Sequence, residues 1–332
     1  MDLFELTKAL VNIPSVTGEE GALVDFLVPY LRNLAFTVRE QKVERKRRNV
    51  FAAPRPKPKV ILCTHLDTVP GWFGASEDRA YIYGRGACDA KGIMAAMIEA
   101  VRILDREGTK DVGLLFVVGE ETDSSGALKA NALDLGSKFI VVGEPTGNKL
   151  GRGHKGILTF RLSAKGRRAH SASPQRGRSA IEKLLDALGA LRALDFGEDP
   201  LLGRCLVNIG RIEGGIAANV VSDSAGAVVS VRTPFPTERI LHEILRTVGR
   251  RVSVEVVTKS EPQVLNTVPG FRTTVLPYGT DIPYLTSFGK PLLLGPGSIA
   301  DAHTKKEKIE KKQLRESVFV YIKLAGRLMM EK

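Results

Sequence analysis

Three short runs of almost wholly apolar residues, 60–64, 112–118 and 139–142, constrain this chain more than any other feature of it. Each has the length of a strand, and none alternates with polar residues, so each predicts a strand buried on both faces. The residues between them carry helical spacing: 92–104 reads as an apolar helix and 127–133 as a shorter helical piece. Apolar strands alternating with helices predict helices on both faces of a largely parallel sheet. A further helix precedes them. Ala22, Leu23, Phe26, Leu27, Tyr30, Leu31 and Leu34 share one helical face, Thr17 and Glu20 have the spacing of a capping box, and Pro29 predicts a kink or break.

The pattern changes after about residue 154. Residues 157–164 alternate like a half-exposed strand, 180–194 form an amphipathic helix, and 206–212 and 225–231 read as strands. A helix over 238–248 and a strand over 252–257 complete the order β-α-β-β-α-β, that of a ferredoxin-like sandwich. From about residue 263 the first pattern resumes, and it ends in a long helix over 311–330. The expected organisation is one domain from 1–153 and 263–332, with a second, 154–262, inserted into it. A chain of 332 residues, 43% of them apolar, can fill two such cores.

Net charge is +12, from 49 basic and 37 acidic side chains. The run Arg45-Lys46-Arg47-Arg48 reads as a solvated face, and residues 305–312, which mix both signs, as an exposed helix. No nucleic-acid partner is expected, because the basic run is short and no RNA-binding aromatic motif accompanies it. No apolar run approaches the roughly 20 residues of a membrane span. The start, Met1-Asp2-Leu3-Phe4-Glu5, lacks the features of a secretory signal, so a cytoplasmic protein is expected. Cys63, Cys88 and Cys205 contain no CxxC pair and suggest no disulfide framework, and Cys88 reads as a small buried thiol.

Residues able to do chemistry gather at the strand ends. His65 and Asp67 follow the first apolar run, Glu120 and Glu121 the second, and Glu144 the third. Asp89 lies in a glycine-flanked stretch, 84–92, just before a helix, and His303 follows Gly295-Pro296-Gly297 near a helix start. Sites in open α/β sheets form beyond the carboxyl ends of the strands. One carboxylate there is ordinarily a cap or a solvated group. Several at one edge repel each other unless a cation neutralises them, and imidazole with carboxylate suits zinc or another divalent transition metal. Residues 151–156 fit GxGxxG, but a β-like run follows where a helix should open, so dinucleotide binding is not expected. HExxH and GxSxG are absent, which argues against one-zinc proteases and serine hydrolases.

In this order Thr64-His65-Leu66-Asp67-Thr68-Val69-Pro70, Gly84-Arg85-Gly86 through Gly92, Gly119-Glu120-Glu121, Gly143-Glu144-Pro145-Thr146 and His303 resemble the acetylornithine deacetylase / succinyl-diaminopimelate desuccinylase / aminoacylase family of di-zinc metallohydrolases. The resemblance spans nearly the whole chain. It implies a zinc-exopeptidase-like α/β/α catalytic domain with an inserted ferredoxin-like lid, through which family members commonly form homodimers. It implies two Zn2+, with Co2+ able to substitute: Asp89 bridges them, His65 and Glu144 complete one site, and Glu121 and His303 the other. Asp67 would orient the free ring nitrogen of His65, and Glu120 would be the general base that moves a proton from the attacking water to the leaving amine. A cis peptide would join Asp89 to Ala90, where the family often has an acidic residue or methionine in place of Ala90. His170 resembles a residue that reaches a neighbouring active site to stabilise the oxyanion. Asn219, Arg232, Gly295 and Gly297 resemble positions that hold substrate, with Arg232 suited to an α-carboxylate. Residues 278–285 and 292–303 look most like acetylornithine deacetylases. The implied substrate is therefore a small N-acyl amino acid, N-acetylornithine in arginine biosynthesis. A desuccinylase or a metallo-dipeptidase or carboxypeptidase of the same family is the alternative, and a non-catalytic basic binding protein a remote one.

Overall fold

In the computed structural model, which describes residues 1–331, the chain divides into two compact units. The first comprises residues 1–152, Leu265–Thr274 and the chain from Thr280 onward; the second comprises Gly153–Val264 and Val275–Gly279. In chain order the principal elements of the first unit begin with α1 (Leu3–Val11), α2 (Gly21–Asn33), β1 (Thr37–Glu44), β2 (Arg47–Ala53) and β3 (Val60–His65). They continue with α3 (Gly92–Arg106), β4 (Val112–Val117), α4 (Ser125–Ala130) and β5 (Phe139–Val142). The second unit holds β6 (Gly156–Lys165), α5 (Ala180–Arg192), β7 (Leu206–Gly214), β8 (Ser224–Thr233), α6 (Thr237–Val248) and β9 (Ser253–Ser260). The chain closes in the first unit with β10 (Lys290–Leu293) and α7 (Lys311–Met330).

The six-stranded sheet of the first unit has the order β1-β2-β4-β3-β5-β10. The three strands read from apolar runs are its parallel centre: β3 pairs parallel with both β4 and β5, and β10 continues the parallel set beyond β5. β1 and β2 form an antiparallel hairpin at one edge. Val60, Leu62, Leu114, Phe116, Val141 and Leu292 pack into one buried cluster with residues of α1, α2, α3 and α7. Tyr321 of α7 is fully buried, and its hydroxyl donates to the carbonyl of Leu294 at 2.7 Å. The second unit is a four-stranded antiparallel sheet in the order β7-β8-β6-β9, covered on one face by α5 and α6. Its own core includes Leu158, Phe160, Leu162, Leu184, Val229, Val231, Ile240 and Ile244. This is the ferredoxin-like arrangement expected from the element order. No helix among the described residues is long and apolar enough to cross a membrane.

Several local expectations are corrected. Thr17 and Glu20 form no capping box: the Thr17 hydroxyl donates to the Asp67 carboxylate at 2.7 Å, and the buried Glu20 pairs with Arg47. Pro29 does not interrupt α2, because it lies on the exposed face, where water can satisfy the Asp25 carbonyl left without an N–H partner. α1 was not read from the sequence, although its signal is present: the Asp2 carboxylate accepts the amides of Phe4 and Glu5, both at 2.9 Å, in a capping box with Glu5. Residues 305–312 are not one exposed helix. Lys308–Glu310 is a short strand antiparallel to Tyr81–Tyr83, Glu307 is fully buried, and α7 begins only at Lys311.

The basic run at 45–48 is only partly a solvated face. Arg45 makes the β1–β2 turn at φ 43°, Arg48 bonds Glu40 at 2.6 Å, and the Arg47 guanidinium meets Glu20 at 2.9 Å with both groups buried. Arg47→Ala would strand the Glu20 carboxylate without its partner, a change that costs about 3–5 kcal/mol for a buried pair. Lys46→Ala, one residue away and exposed, should change stability by less than about 0.5 kcal/mol. Denaturant unfolding of the two variants checks the contrast, and equal losses would show that the run acts only as surface.

Candidate metal centre

The parallel strands deliver the chemistry to one edge. His65 ends β3 and sits in register with Val117 at the end of β4, while Cys63 is in register with Val142 at the end of β5. Glu120 and Glu121 therefore leave the sheet on one side of His65, and Glu144 on the other. Between β4 and the glutamates the chain turns at Gly119, whose φ of +86° and crowding suit no side chain: an added Cβ would lie 2.7 Å from the Arg47 guanidinium. Asp89 comes from the turn just before α3, and the Asp89–Ala90 peptide is cis.

Asp89 is the geometric centre of the group. Its Oδ1 lies 3.0 Å from His65 Nε2, and its Oδ2 lies 3.4 Å from His303 Nε2. His303 Nε2 also meets Glu121 Oε1 at 2.9 Å. Each Asp89 oxygen thus faces a different imidazole. One ligand atom each from His65, Asp89 and Glu121 fall within 4.8 Å of one another. His303 reaches the group from an exposed turn with φ 60°, eight residues before α7, where the sequence suggested a helix start.

Asp67 is tied in differently from the expectation. His65 Nδ1 lies 2.9 Å from the main-chain carbonyl of Asp67, which accepts its proton, whereas the Asp67 carboxylate is 3.7 Å away. In the neutral ring that tautomer leaves the lone pair on Nε2, the atom that would ligate a cation, whereas a proton on Nε2 donates to Asp89. The carboxylate instead accepts four hydrogen bonds: Oδ1 from the amides of Gly119 at 2.9 Å and Glu120 at 3.1 Å, and Oδ2 from the amide of Glu121 at 3.1 Å and the Thr17 hydroxyl. Asp67 therefore shapes the loop that carries both glutamates.

The electrostatics reflect an excess of buried carboxylate. Burial pushes Glu120 well above the usual carboxylate range; Asp281, Glu121 and Asp89 add to the shift and His65 opposes it. Glu144 is likewise pushed well up by burial and by Glu120 and Asp89. Burial also works against ionised Asp89, but hydrogen bonds from His303 and His65 outweigh it and hold Asp89 far below the usual range. Hydrogen bonds to Asp89 and Glu121 raise His303 to about 10. For His65 burial opposes the charged form, yet the neighbouring Asp67 and the bond to Asp89 push the imidazole well up. The carboxylates thus favour positive charge at the two imidazoles. Divalent cations would compete for the same nitrogen and oxygen atoms, so the donor set fits zinc or a similar metal.

Asp281 also belongs to this environment. It is buried, neither of its carboxylate oxygens has a hydrogen-bond partner, and burial lifts it to about 7, with Asp67 and Asp123 adding to the lift. A lone Asp in a loop carries no sequence signal of its own.

Gly295 and Gly297, expected to hold substrate, are buried and have their polar groups occupied. Gly295 N–H donates to the Thr146 hydroxyl at 3.0 Å, and its carbonyl accepts the amides of Thr146 and Asn148. Gly297 N–H donates to Gln313 at 2.6 Å, and its carbonyl accepts Gly147 N–H. Neither place has room for a side chain: a Cβ at Gly295 would lie 2.5 Å from the Glu144 carbonyl oxygen, and one at Gly297 2.6 Å from Cys88 Sγ. His170, Asn219 and Arg232 lie in the second unit. His170 and Asn219 are exposed neighbours, joined where Ser171 N–H donates to the Asn219 carbonyl and where His170 pairs with Val220. Arg232 is half-buried on β8.

Comparison with known proteins agrees with this arrangement. The family described as "Peptidase family M20/M25/M40" matches residues 61–327. A "Peptidase M20 domain-containing protein" of Schizosaccharomyces pombe is 41% identical over 334 residues, covering 96% of this chain and 83% of the relative. A "Probable carboxypeptidase" of Aspergillus terreus is 40% identical over 364 residues, covering 96% and 84%. The solved M20 family metallo-carboxypeptidase Sso-CP2 of Sulfolobus solfataricus superimposes with a TM-score of 0.80 over 99% of both chains, at 16% identity, which is a likeness of fold. Neither sequence relative carries the acetylornithine deacetylase name that residues 278–303 suggested. A strand-end cluster of imidazole and carboxylate, a full-length fold match and two relatives near 40% identity lead to one assignment: the chain belongs to peptidase family M20/M25/M40.

Proposed function

We propose that this protein is a metal-dependent carboxypeptidase or dipeptidase that hydrolyses the amide bond next to a free terminal carboxylate. The observation that carries the metal assignment is Asp89, whose two oxygens face His65 and His303 separately, as a carboxylate shared between two cations would. His65 and Glu144 would hold one cation with Asp89, and Glu121 and His303 the other. Zinc suits the donors, and cobalt can take its place. When bound, such cations acidify water and polarise the scissile carbonyl.

The chain's own groups then have distinct work. Glu120 is held by its amide on Asp67 beside Glu121, and would take a proton from the attacking water and pass it to the leaving amine. We assign His170 to the developing oxyanion, Asn219 to substrate positioning and Arg232 to the substrate carboxylate, whose two oxygens match a planar guanidinium fork. The carboxypeptidase reading is preferred to N-acetylornithine deacetylation because a relative at 40% identity bears that name. The deacetylase reading keeps only the local likeness of residues 278–303.

A homodimer through the second unit is supported by its surface. β7 is an edge strand with Leu206, Val207 and Ile212 exposed, and the neighbouring α5 exposes Ile181 and Leu185. Unprotected apolar edges of this kind invite pairing.

Glu120→Gln should bind two metal equivalents, measured by atomic emission, and lose about 10²–10⁴-fold in kcat. Turnover within tenfold of the wild type would remove Glu120 as the base. Among substrates, dipeptides with a free C-terminal carboxylate should exceed their C-terminally amidated forms by at least about tenfold in kcat/KM, the scale of one lost charged contact, and should also exceed N-acetylornithine, which keeps that carboxylate and differs in its acyl group. A preference for N-acetylornithine would restore the deacetylase reading. The double variant Val207→Lys/Ile212→Lys should sediment as a monomer where the wild type sediments as a dimer; an unchanged sedimentation coefficient would place any dimer contact elsewhere.

A further inference from the structure

Glu307 lies four residues beyond His303 and is fully buried. Its carboxylate is occupied from both sides. Oε1 accepts three main-chain amides, from Gly86 at 3.0 Å, Cys88 at 3.1 Å and Asp89 at 3.0 Å. Oε2 accepts Arg85 Nη1 at 2.6 Å. The main chain joins in: Gly84 N–H donates to the Glu307 carbonyl at 3.0 Å, and Lys308–Glu310 pairs with Tyr81–Tyr83. The turn from Gly84 to Asp89 is therefore folded around one side chain that lies 218 residues further along the chain.

The chemistry of this contact is specific to a carboxylate. Three convergent N–H groups of a tight turn form a concavity of partial positive charge that an anion fills. A glutamine could offer its carbonyl to the amides, but its NH2 would then meet the Arg85 guanidinium, donor against donor. One of the three amides is that of Asp89, whose side-chain oxygens face His65 and His303. His303 lies on the same segment as Glu307, held in a left-handed turn. A single buried carboxylate thus links the backbone of Asp89 to the segment bearing His303.

We propose that Glu307 is a positioning residue of the metal centre, which holds the Asp89 turn in register with the His303 segment so that the Asp89 carboxylate is presented to both cations. The inference rests on reading Asp89 and His303 as ligands. A residue that served the fold alone would alter the melting temperature and leave coordination unchanged. A clamp on the Asp89 turn changes the ligand geometry of a chain that is still folded.

The test uses the full-length protein loaded with Co2+. Glu307→Gln, with wild-type circular dichroism, should bind cobalt about 10–100-fold more weakly in competition with a chelator, the usual effect of removing a group that orients a ligand. The visible absorption bands of the bound cobalt should change in intensity, and kcat should fall while KM stays within about threefold. If Glu307→Gln does not fold, Glu307→Asp, which keeps the charge but withdraws it by one methylene, is measured in the same way. A folded variant with unchanged cobalt affinity and an unchanged spectrum overturns the proposal. Failure of the wild type to bind cobalt, or an Asp89→Asn variant that binds it as tightly, would instead overturn the reading of the centre on which the proposal depends.

Discussion

The carboxylate of Asp67 organises the functional edge of the sheet. It stands just past the end of β3 and accepts the amides of Gly119, Glu120 and Glu121 from the end of β4, together with the Thr17 hydroxyl. A buried carboxylate with four donors is stable only where all four are fixed, and hydrogen bonds to charged groups are worth more than neutral ones. The position of Glu120 and Glu121 relative to His65 follows from that one side chain. The same residue lends His65 its main-chain carbonyl, so the imidazole and the two glutamates are oriented from a single point.

Charge decides what this arrangement is for. Asp89, Glu120, Glu121, Glu144 and Asp281 are set among only two imidazoles, with burial amplifying every repulsion. A site of this composition is unfavourable in isolation and becomes favourable when positive charge enters it. The glycines Gly295 and Gly297 show the other side of the design. They bring the main chain against Glu144 and Cys88 with no room for a Cβ, so the segment before His303 packs closely there.

The second unit follows a different logic. It has its own core of β6, β8, α5 and α6, and one face of its sheet is left without helices. Its most exposed strand, β7, carries large apolar residues at an edge, where a soluble monomer ordinarily places charge or proline. This contrast with the closed core of the first unit is what makes its surface, rather than its interior, the feature of interest.

The sequence by itself determined the layers, the parallel centre of the sheet, the ferredoxin-like order of the second unit, the strand-end positions of His65, Asp67, Glu120, Glu121 and Glu144, and the place of Asp89 just before α3. These are legible because burial on both faces, helical spacing and strand termination are local properties, written in consecutive residues. Only the tertiary structure decided which polar groups meet. Thr17 and Glu20 have the spacing of a cap, yet they bond Asp67 and Arg47; Glu307 reads as part of a charged helix, yet it is buried under Gly86, Cys88 and Asp89; Asp281 carries no motif, yet it lies without a hydrogen-bond partner in the same environment as His65. The physical reason is that a hydrogen bond or ion pair between distant segments depends on how elements pack, and a side chain with several possible partners acquires one only when packing excludes water and the rest.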